Sequence, residues 1–211
     1  MTDPFKTAES EFPNDVYELQ DSASTQALYR DWADSYDADL VANGYAGPAR
    51  CAEALAQFAG DLAAPVLDVG CGTGLSGEAL ATAGFSTLDG TDFSDEMLQV
   101  AARKDVYREL VKGDLAEPLP VAPGAYANIA AVGVFSPAHA PPELIDRAVG
   151  LLPRGGCFVF TLNDHALAEK VYEGRLREMV DACAADLLFK QHGPHVPGQS
   201  LGSTVYVLQR R

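Results

Sequence analysis

The chain has 211 residues, of which 47% are hydrophobic and 21% charged, an ordinary composition for a globular protein that builds its core without disulfides or metals. Acidic residues outnumber basic ones by 30 to 15, which gives a formal net charge of −15. A surface this negative repels phosphate backbones and anionic lipid head groups. We therefore expect a neutral or cationic small-molecule substrate and no nucleic-acid or membrane partner. The protein itself is expected to be a monomer or a homodimer.

The beginning of the chain differs from the rest. Residues 1–26 show little apolar periodicity and are predicted to form an N-terminal arm ahead of one domain over residues 27–211. The acidic N-terminus lacks the basic and apolar segments of a secretion signal, and no apolar run approaches the ~20 residues that span a bilayer. These features predict a cytoplasmic protein. The four cysteines, which show no CxxC spacing, are predicted to be reduced core residues: Cys51, Cys71, Cys157 and Cys183.

Two helices are predicted ahead of the first strand. Apolar residues recur at helical spacing in "ALYRDWADSYDADLV" (27–41), "GYAGP" interrupts the pattern, and "ARCAEALAQFAG" (49–60) resumes it. We expect residues 27–60 to form a lid over the functional site. Tyr29, Trp32 and Tyr36 lie on one stripe of the first helix. This stripe is either packed into the core or an aromatic cover over a cationic ligand.

From residue 66 onward, short apolar runs alternate with helical segments, which predicts a parallel sheet with helices on both faces. The predicted parallel strands are Val66–Val69, Ser86–Thr91, Glu109–Lys112, Ile129–Val134 and Cys157–Leu162. Two later runs, Leu187–Lys190 and Ser203–Gln209, are joined by a loop without a helix, which favours antiparallel pairing. The predicted fold class is α/β: a three-layer Rossmann-like sandwich around a seven-stranded, mostly parallel sheet that ends in an antiparallel hairpin.

The segment "VLDVGCGTG" (66–74) connects the first predicted strand to a helix. Glycines this close together let a ligand approach the backbone at the carboxyl end of a parallel sheet. A nucleoside-triphosphate loop needs a lysine after its glycines, and no Lys or Arg occurs from residue 51 to residue 102. A dinucleotide fingerprint needs glycine at position 75, where Leu75 stands. Asp92, after the second strand, suits a ribose in either cofactor class, so an NAD-type dehydrogenase remains an alternative.

Five segments, in this order, resemble the motifs of class I S-adenosylmethionine-dependent methyltransferases. They are "VLDVGCGTG", "LDGTDFSDEML", "LVKGDLAEPLP", "IAAVGVFSPAH" and "LLPRGGCFVFTLND". The helix "YRDWADSYD" resembles one that precedes the core in small stand-alone enzymes of bacterial type, and the resemblance covers about residues 27–209. It implies transfer of a methyl group from S-adenosyl-L-methionine to a small molecule, leaving S-adenosyl-L-homocysteine. A non-catalytic protein that binds this cofactor is a second alternative.

The resemblance also implies which residues bind the cofactor. Asp68 would reach the amino group of the methionine part, directly or through water. Asp92 would accept both ribose hydroxyls, and Asp114 would accept from the adenine amine. The other implied residues are Gly70, Cys71, Gly72, Gly74, Phe93, Leu115, Gly133, Val134 and Tyr29. One departure is "YAN" (126–128), where the family commonly has an acidic residue after the aromatic one.

The catalytic residues are less well defined by the motifs. Imidazole titrates near neutrality, so His139, after the fourth strand, is a candidate base or substrate partner, unless it is only a solvent-facing loop residue. Tyr36 is a second candidate. His192 and His195 flank a proline in the predicted 191–202 loop and have no nearby Cys or Asp in sequence. They are a weak metal signal, and we expect no metal site.

Overall fold

The computed structural model describes residues 37–119, 121–136 and 140–211. The predicted arm at residues 1–26, Tyr29, Trp32, Tyr36 and His139 lie outside these residues.

The described elements follow the predicted alternation. Residues 37–42 are helical. After them come α1 (Gly47–Ala56), β1 (Val66–Val69), α2 (Leu75–Thr82), β2 (Leu88–Asp92), α3 (Asp95–Arg103), β3 (Glu109–Lys112), β4 (Asn128–Phe135), α4 (Glu143–Leu151), β5 (Cys157–Asn163), α5 (Asp164–Ala168), α6 (Lys170–Asp181), β6 (Ala185–Val196), a 3-10 turn (Pro197–Gln199) and β7 (Leu201–Arg210). The N-terminus of α3 is capped as its sequence "SDEM" suggests, because the Ser94 hydroxyl accepts a hydrogen bond from the Met97 N–H.

The seven strands form a single sheet in the order β3-β2-β1-β4-β5-β7-β6. β1 to β5 run parallel, and β7 pairs antiparallel with both β5 and β6. The predicted fold class, with its terminal antiparallel hairpin, is therefore confirmed. β2 and β4 lie on opposite sides of β1, so the connection after β1 leads to one side of the sheet and the connection after β4 leads to the other. The two connections therefore diverge and leave a crevice at the carboxyl ends of β1 and β4.

The core lies on both faces of the sheet, which explains why the central strands read as continuous apolar runs. Val66 and Leu67 are consecutive in β1 and point to opposite faces. Val66 packs with Leu55 of α1 on one face, and Leu67 belongs with Leu144 of α4 to the cluster on the other. These two clusters join the helices to both faces of the sheet and so fix the strands whose carboxyl ends form the crevice.

The hairpin differs from the prediction between residues 191 and 202. β6 continues to Val196, so most of the predicted loop is strand. A proline fits here because β6 is the last strand of the sheet and its ladder with β7 is irregular between Pro194 and Val196. The Arg50 guanidinium of α1 supports this edge by donating to the carbonyls of Gln191 and Pro194, each at 2.8 Å.

The cysteines agree with the prediction in part. All four thiols are free, and Cys51, Cys71 and Cys157 are buried. Cys183 is exposed, so the prediction that it packs in the core is wrong. It lies in the turn between α6 and β6, with φ 56°. Within the described ranges, no helix has the length and apolar character to cross a membrane.

Candidate functional site

A pocket opens at the carboxyl ends of β1, β2 and β4, where the strand order reverses. Its walls come from the turn after β1, the end of β2, the start of the segment after β3, and the outer half of β4. The lining residues are Tyr45, Pro48, Gly70, Cys71, Gly72, Thr73, Leu75, Ser76, Asp92, Phe93, Met97, Leu115, Val132, Gly133 and Val134. An open parallel sheet binds its ligands at this position.

The residues implied by the resemblance fall into two groups. Eight of them line this one pocket, although they come from four separate segments: Gly70, Cys71, Gly72, Asp92, Phe93, Leu115, Gly133 and Val134. Asp68, Gly74 and Asp114 are not part of the lining. Asp68 lies fully buried beneath it, Gly74 begins α2, and Asp114 is exposed next to Leu115.

Asp92 joins the end of β2 to the glycine turn. Its side chain is only 6% exposed. One carboxylate oxygen accepts the Gly72 N–H at 2.9 Å, and the other accepts the Ser94 N–H at 3.0 Å. Burial raises the pKa of Asp92, and these backbone donors oppose that rise. A carboxylate accepts up to about four hydrogen bonds, so Asp92 is held rigidly and keeps acceptor capacity for a ligand.

Asp68, at the end of β1, sits below the turn. Its Oδ2 accepts hydrogen bonds from the Ser76 hydroxyl at 2.6 Å and the Tyr107 hydroxyl at 2.7 Å. Its Oδ1 is buried and has no hydrogen-bond donor among the described residues. Burial is the main reason that the pKa of Asp68 rises to about 6, and the Asp92 carboxylate adds to the rise. The site therefore contains a second carboxylate with one unsatisfied oxygen.

The glycine turn approaches a ligand most openly at Gly72. Its φ is +53°, and a Cβ placed there would meet no atom within 4 Å. A backbone in this conformation with open space above it allows close approach of another molecule. Gly74 has a different surrounding, because a Cβ there would meet Tyr107 at 3.1 Å and Lys104 at 3.2 Å. Gly74 thus serves packing under α2, away from the pocket.

The opposite wall is shaped by an irregularity in β4. The register between β4 and β5 shifts between Ala131 and Phe135, and within this stretch the Gly133 N–H donates to the Thr161 hydroxyl at 2.8 Å. Gly133 has φ +72°, and a Cβ there would lie 2.5 Å from the Tyr45 hydroxyl oxygen. Bulges of this kind redirect a strand near functional sites. Here the bulge makes room for the phenol of Tyr45 at the wall of the pocket.

Tyr45 is supported from behind by His195 of β6. The two rings meet edge to face, with centroids 5.1 Å apart. His195 is 2% exposed, and its Nδ1 has no partner among the described residues. Burial, together with the charge of Arg50, lowers the pKa of His195 to about 4. The imidazole is therefore neutral at physiological pH and acts as a packing surface for Tyr45.

The two hairpin histidines do not form a site together. His192 pairs with Asp164, Nε2 to Oδ1 at 2.9 Å, although the two residues are 28 positions apart in sequence. The contact arises because α5 follows β5 directly and begins beside the hairpin, which the sequence separation conceals. His195 points to the opposite, buried face of β6. In the part of the chain that the structure describes, no group of three or more His, Cys, Asp or Glu side chains is arranged to hold a metal ion.

Several site residues were missed at the sequence level. Tyr45 and Pro48 lie in "GYAGP", which reads only as a helix interruption. Ser76 and Tyr107 follow Asp68 by 8 and 39 residues, and no spacing rule connects them to it. One signal was available. Gly77 and Gly90 are glycines in a helix and a strand, where glycine is unfavourable unless a neighbour needs the space.

The sequence comparisons identify a methyltransferase domain. The sequence profile described as "Methyltransferase domain" matches residues 66–156. Methyltransferase-like protein 27 of Homo sapiens is 35% identical over 133 residues, which cover 60% of this chain and 54% of that protein. The 18S rRNA (guanine-N(7))-methyltransferase of Bos taurus is 39% identical over 61 residues, which cover 29% of this chain and 21% of that protein. The matched stretches thus span about half, or less, of these relatives.

The comparison with solved structures supports the same fold. The magnesium protoporphyrin IX methyltransferase of Synechocystis PCC 6803, solved with bound SAH, superposes with a TM-score of 0.62 at 17% identity. The alignment covers 88% of this chain and 99% of that one.

One sequence-based expectation is overturned by these relatives. The exclusion of nucleic-acid partners is wrong, because the relatives include proteins named as rRNA methyltransferases. The physical reason is that net charge sums the whole surface, whereas a substrate responds to the potential at the site. The cofactor prediction is confirmed, since S-adenosyl-L-methionine is the methyl donor of this family. Motif order, sheet topology and sequence profile agree: residues 66–156 match a methyltransferase domain, in a chain with the fold of the class I S-adenosylmethionine-dependent methyltransferases.

Proposed function

We propose that this protein transfers the methyl group of S-adenosyl-L-methionine to a small-molecule acceptor, and that the cofactor lies in the pocket at the carboxyl ends of β1, β2 and β4. The observation that carries the proposal is convergence. Eight residues singled out by motif alone, from four segments of the chain, line one pocket around a rigid buried carboxylate.

The cofactor's parts are assigned by the chemistry of each wall. Asp92 accepts the two ribose hydroxyls in charge-assisted hydrogen bonds, while its backbone donors hold it in place. Phe93 and Leu115 enclose the adenine ring. Asp114 stands beside Leu115, and its Oδ1 already accepts the Ala116 N–H at 2.8 Å, so Oδ2 is the oxygen that receives the adenine amine. The ammonium group of the methionine part lies over the glycine turn, above Asp68.

The methyl group is directed toward the wall formed by Gly133 and Tyr45. S-adenosyl-L-methionine supplies an electrophilic methyl carbon on a sulfonium sulfur. Bound in this pocket, it would supply that carbon to a lone pair of the acceptor, and the electron pair of the carbon–sulfur bond would return to sulfur. Tyr45 and Gly133 contribute by orienting the reactants and excluding water, which supplies much of the acceleration in such a displacement. His195 is not the base, because its pKa of about 4 makes it a poor proton acceptor. His139 and Tyr36 keep that role as candidates.

The acceptor class rests on the charge of the site. No Lys or Arg belongs to the described lining of the pocket. A neutral or cationic small molecule fits such a lining, because it needs no cationic partner there.

Calorimetric titration with S-adenosyl-L-homocysteine tests the cofactor site. We expect the wild type to bind near micromolar concentration and Asp92→Asn to lose about 10- to 100-fold in affinity, because hydrogen bonds to the charged carboxylate are lost. Asp186→Asn is the matched control, since this aspartate does not line the pocket and pairs with Arg211. Circular dichroism and thermal melting show whether each variant is folded. Equal affinity of Asp92→Asn and wild type would contradict the ribose assignment.

The acceptor is tested separately with cofactor labelled in its methyl group. The labelled cofactor is incubated with the enzyme and either a metabolite extract or deproteinised total RNA. Label transferred to metabolites supports the proposal. Label found only in RNA would overturn the acceptor class and leave the cofactor site intact.

A further inference from the structure

Tyr107, in the segment between α3 and β3, lies under the glycine turn. A Cβ added at Gly74 would meet its ring at 3.1 Å, and one added at Gly90 would meet it at 3.2 Å. A Cβ at Gly77 would overlap its ring carbons and hydroxyl oxygen. Three glycines, in the turn, in α2 and in β2, therefore border this one ring, and the one in α2 leaves space that the ring alone fills. The glycine pattern of the motif serves Tyr107 as well as the ligand.

The hydroxyl of Tyr107 ends on Asp68. It donates to Oδ2 at 2.7 Å, and the Ser76 hydroxyl donates to the same oxygen at 2.6 Å. Burial and the adjacent Asp68 raise the pKa of Tyr107 far above its usual value, so the phenol keeps its proton and is a permanent donor. Both donors satisfy one oxygen, while Oδ1 has no donor among the described residues.

Among the described residues, the Ser76 and Tyr107 hydroxyls are the groups that support the negative charge of Asp68. The titratable groups that face it are Tyr107, Asp92 from β2, Cys71 from the glycine turn and Cys51 from α1. None of these described groups is cationic, and burial disfavours the ionised carboxylate. The two hydroxyl donors are consequently what favours the charged form.

We propose that Tyr107 is a positioning residue of the cofactor site: together with Ser76 it keeps Asp68 ionised and oriented beneath the glycine turn, with Oδ1 left to receive the cofactor's ammonium group or a water that bridges to it. The inference rests on the proposed role of Asp68 toward that ammonium. Tyr107 itself does not line the pocket and acts through the carboxylate.

The test is the pH dependence of S-adenosyl-L-homocysteine binding to Tyr107→Phe and wild type, measured by calorimetry from pH 6 to pH 9. Loss of a hydrogen bond to a charged group raises the pKa of the carboxyl by about one to two units. Ionisation of Asp68 in the wild type is nearly complete at pH 7, since its pKa is about 6. We expect the variant to bind about two- to tenfold more weakly at pH 7, with the ratio of the two affinities approaching one at pH 9.

The ratio of affinities is the readout because the cofactor's own amine titrates equally with both proteins. Tyr126→Phe is the matched control: this tyrosine donates to Asp89 at 2.9 Å and does not line the pocket. Its ratio to wild type is expected to stay near one throughout. Ser76→Ala provides a second variant: it removes the other hydroxyl donor to Asp68, so its affinity relative to wild type should also be reduced at pH 7 and recover by pH 9.

A ratio for Tyr107→Phe that stays constant with pH would overturn the proposal, because a purely structural role weakens binding equally at every pH. If Tyr107→Phe does not fold, the pH dependence of Ser76→Ala decides in the same way. Absence of binding to the wild type at any pH would instead contradict the proposed cofactor site. The two failures are therefore distinguishable.

Discussion

Replacing Gly77 by alanine tests whether Tyr107 accounts for the glycine in the middle of α2. Gly77 is buried within this helix, and its φ lies outside the left-handed region. Alanine in a helix interior is normally favoured over glycine by about 0.5–1 kcal/mol. The new Cβ, however, would overlap the half-buried ring of Tyr107, a rigid group whose displacement also moves its hydroxyl away from Asp68.

The structure gives the size of the opposing effects. Overpacking of a filled core costs about 1–3 kcal/mol. Displacement of the phenol also breaks its hydrogen bond to the Asp68 carboxylate, which stabilises by about 1.5–3 kcal/mol. These costs exceed the gain in helix propensity, so we expect Gly77→Ala to lower the free energy of unfolding by about 2–5 kcal/mol.

In a Tyr107→Ala background the sign should reverse, because the ring is gone and the helix preference of about 0.5–1 kcal/mol remains. The four proteins of this cycle are compared by urea denaturation at pH 7.5. Gly174→Ala is the control: Gly174 lies within α6, a Cβ there meets nothing within 4 Å, and the substitution should stabilise the protein. If Gly77→Ala lowered the free energy of unfolding equally in the wild type and in the Tyr107→Ala background, the proposed clash with Tyr107 would be refuted.

Two further predictions concern stability. The pKa of His195 is lowered to about 4 in the folded protein, so between pH 6.5 and pH 4 the unfolded chain takes up a proton that the folded one refuses. The free energy of unfolding of the wild type therefore falls as the pH is lowered through that window. His195→Gln avoids this loss, so its free energy of unfolding relative to wild type should rise by about 2 kcal/mol from pH 7.5 to pH 5, as measured by urea titration. A difference between the two proteins that is independent of pH would count against a buried neutral imidazole. Arg50→Lys should lower the free energy of unfolding by about 1–2 kcal/mol, because one ammonium group cannot reach the carbonyls of Gln191 and Pro194 together. Arg211→Lys, at an exposed ion pair with Asp186, should leave the thermal midpoint unchanged, and equal losses in the two variants would contradict this account of the hairpin edge.

Much of the fold follows from local pattern. β1 and β3 begin and end at the predicted residues, and the other parallel strands differ by two residues or fewer at each end. The hairpin strand β6 differs more, because Gly193 and Pro194 signal a loop locally while the edge position of the strand and the Arg50 guanidinium permit a ladder. The error shows how a tertiary neighbour overrides a local turn signal.

The candidate site divides in the same way. Residues attached to strand ends, such as Gly72, Asp92 and Leu115, could be placed from sequence because parallel strands bring their carboxyl ends to one edge. Tyr45 and His195 come from a helix interruption and an edge strand 150 residues apart, and only packing brings their rings together. Asp114 is adjacent to Leu115 but outside the described lining, and its Oδ1 accepts the Ala116 N–H, so its role toward the adenine stays a prediction.

The sequence by itself determined the sheet, the identity of the methyl donor and the glycine turn, because each of these is encoded by apolar runs or short motifs of residues close together in the chain. Only the tertiary structure decided what the glycines make room for. Gly133 accommodates Tyr45, and Gly77 accommodates Tyr107, each a partner 30 or more residues away in sequence. A missing side chain is visible in a sequence, but the neighbour that fills its space is defined by how the chain packs.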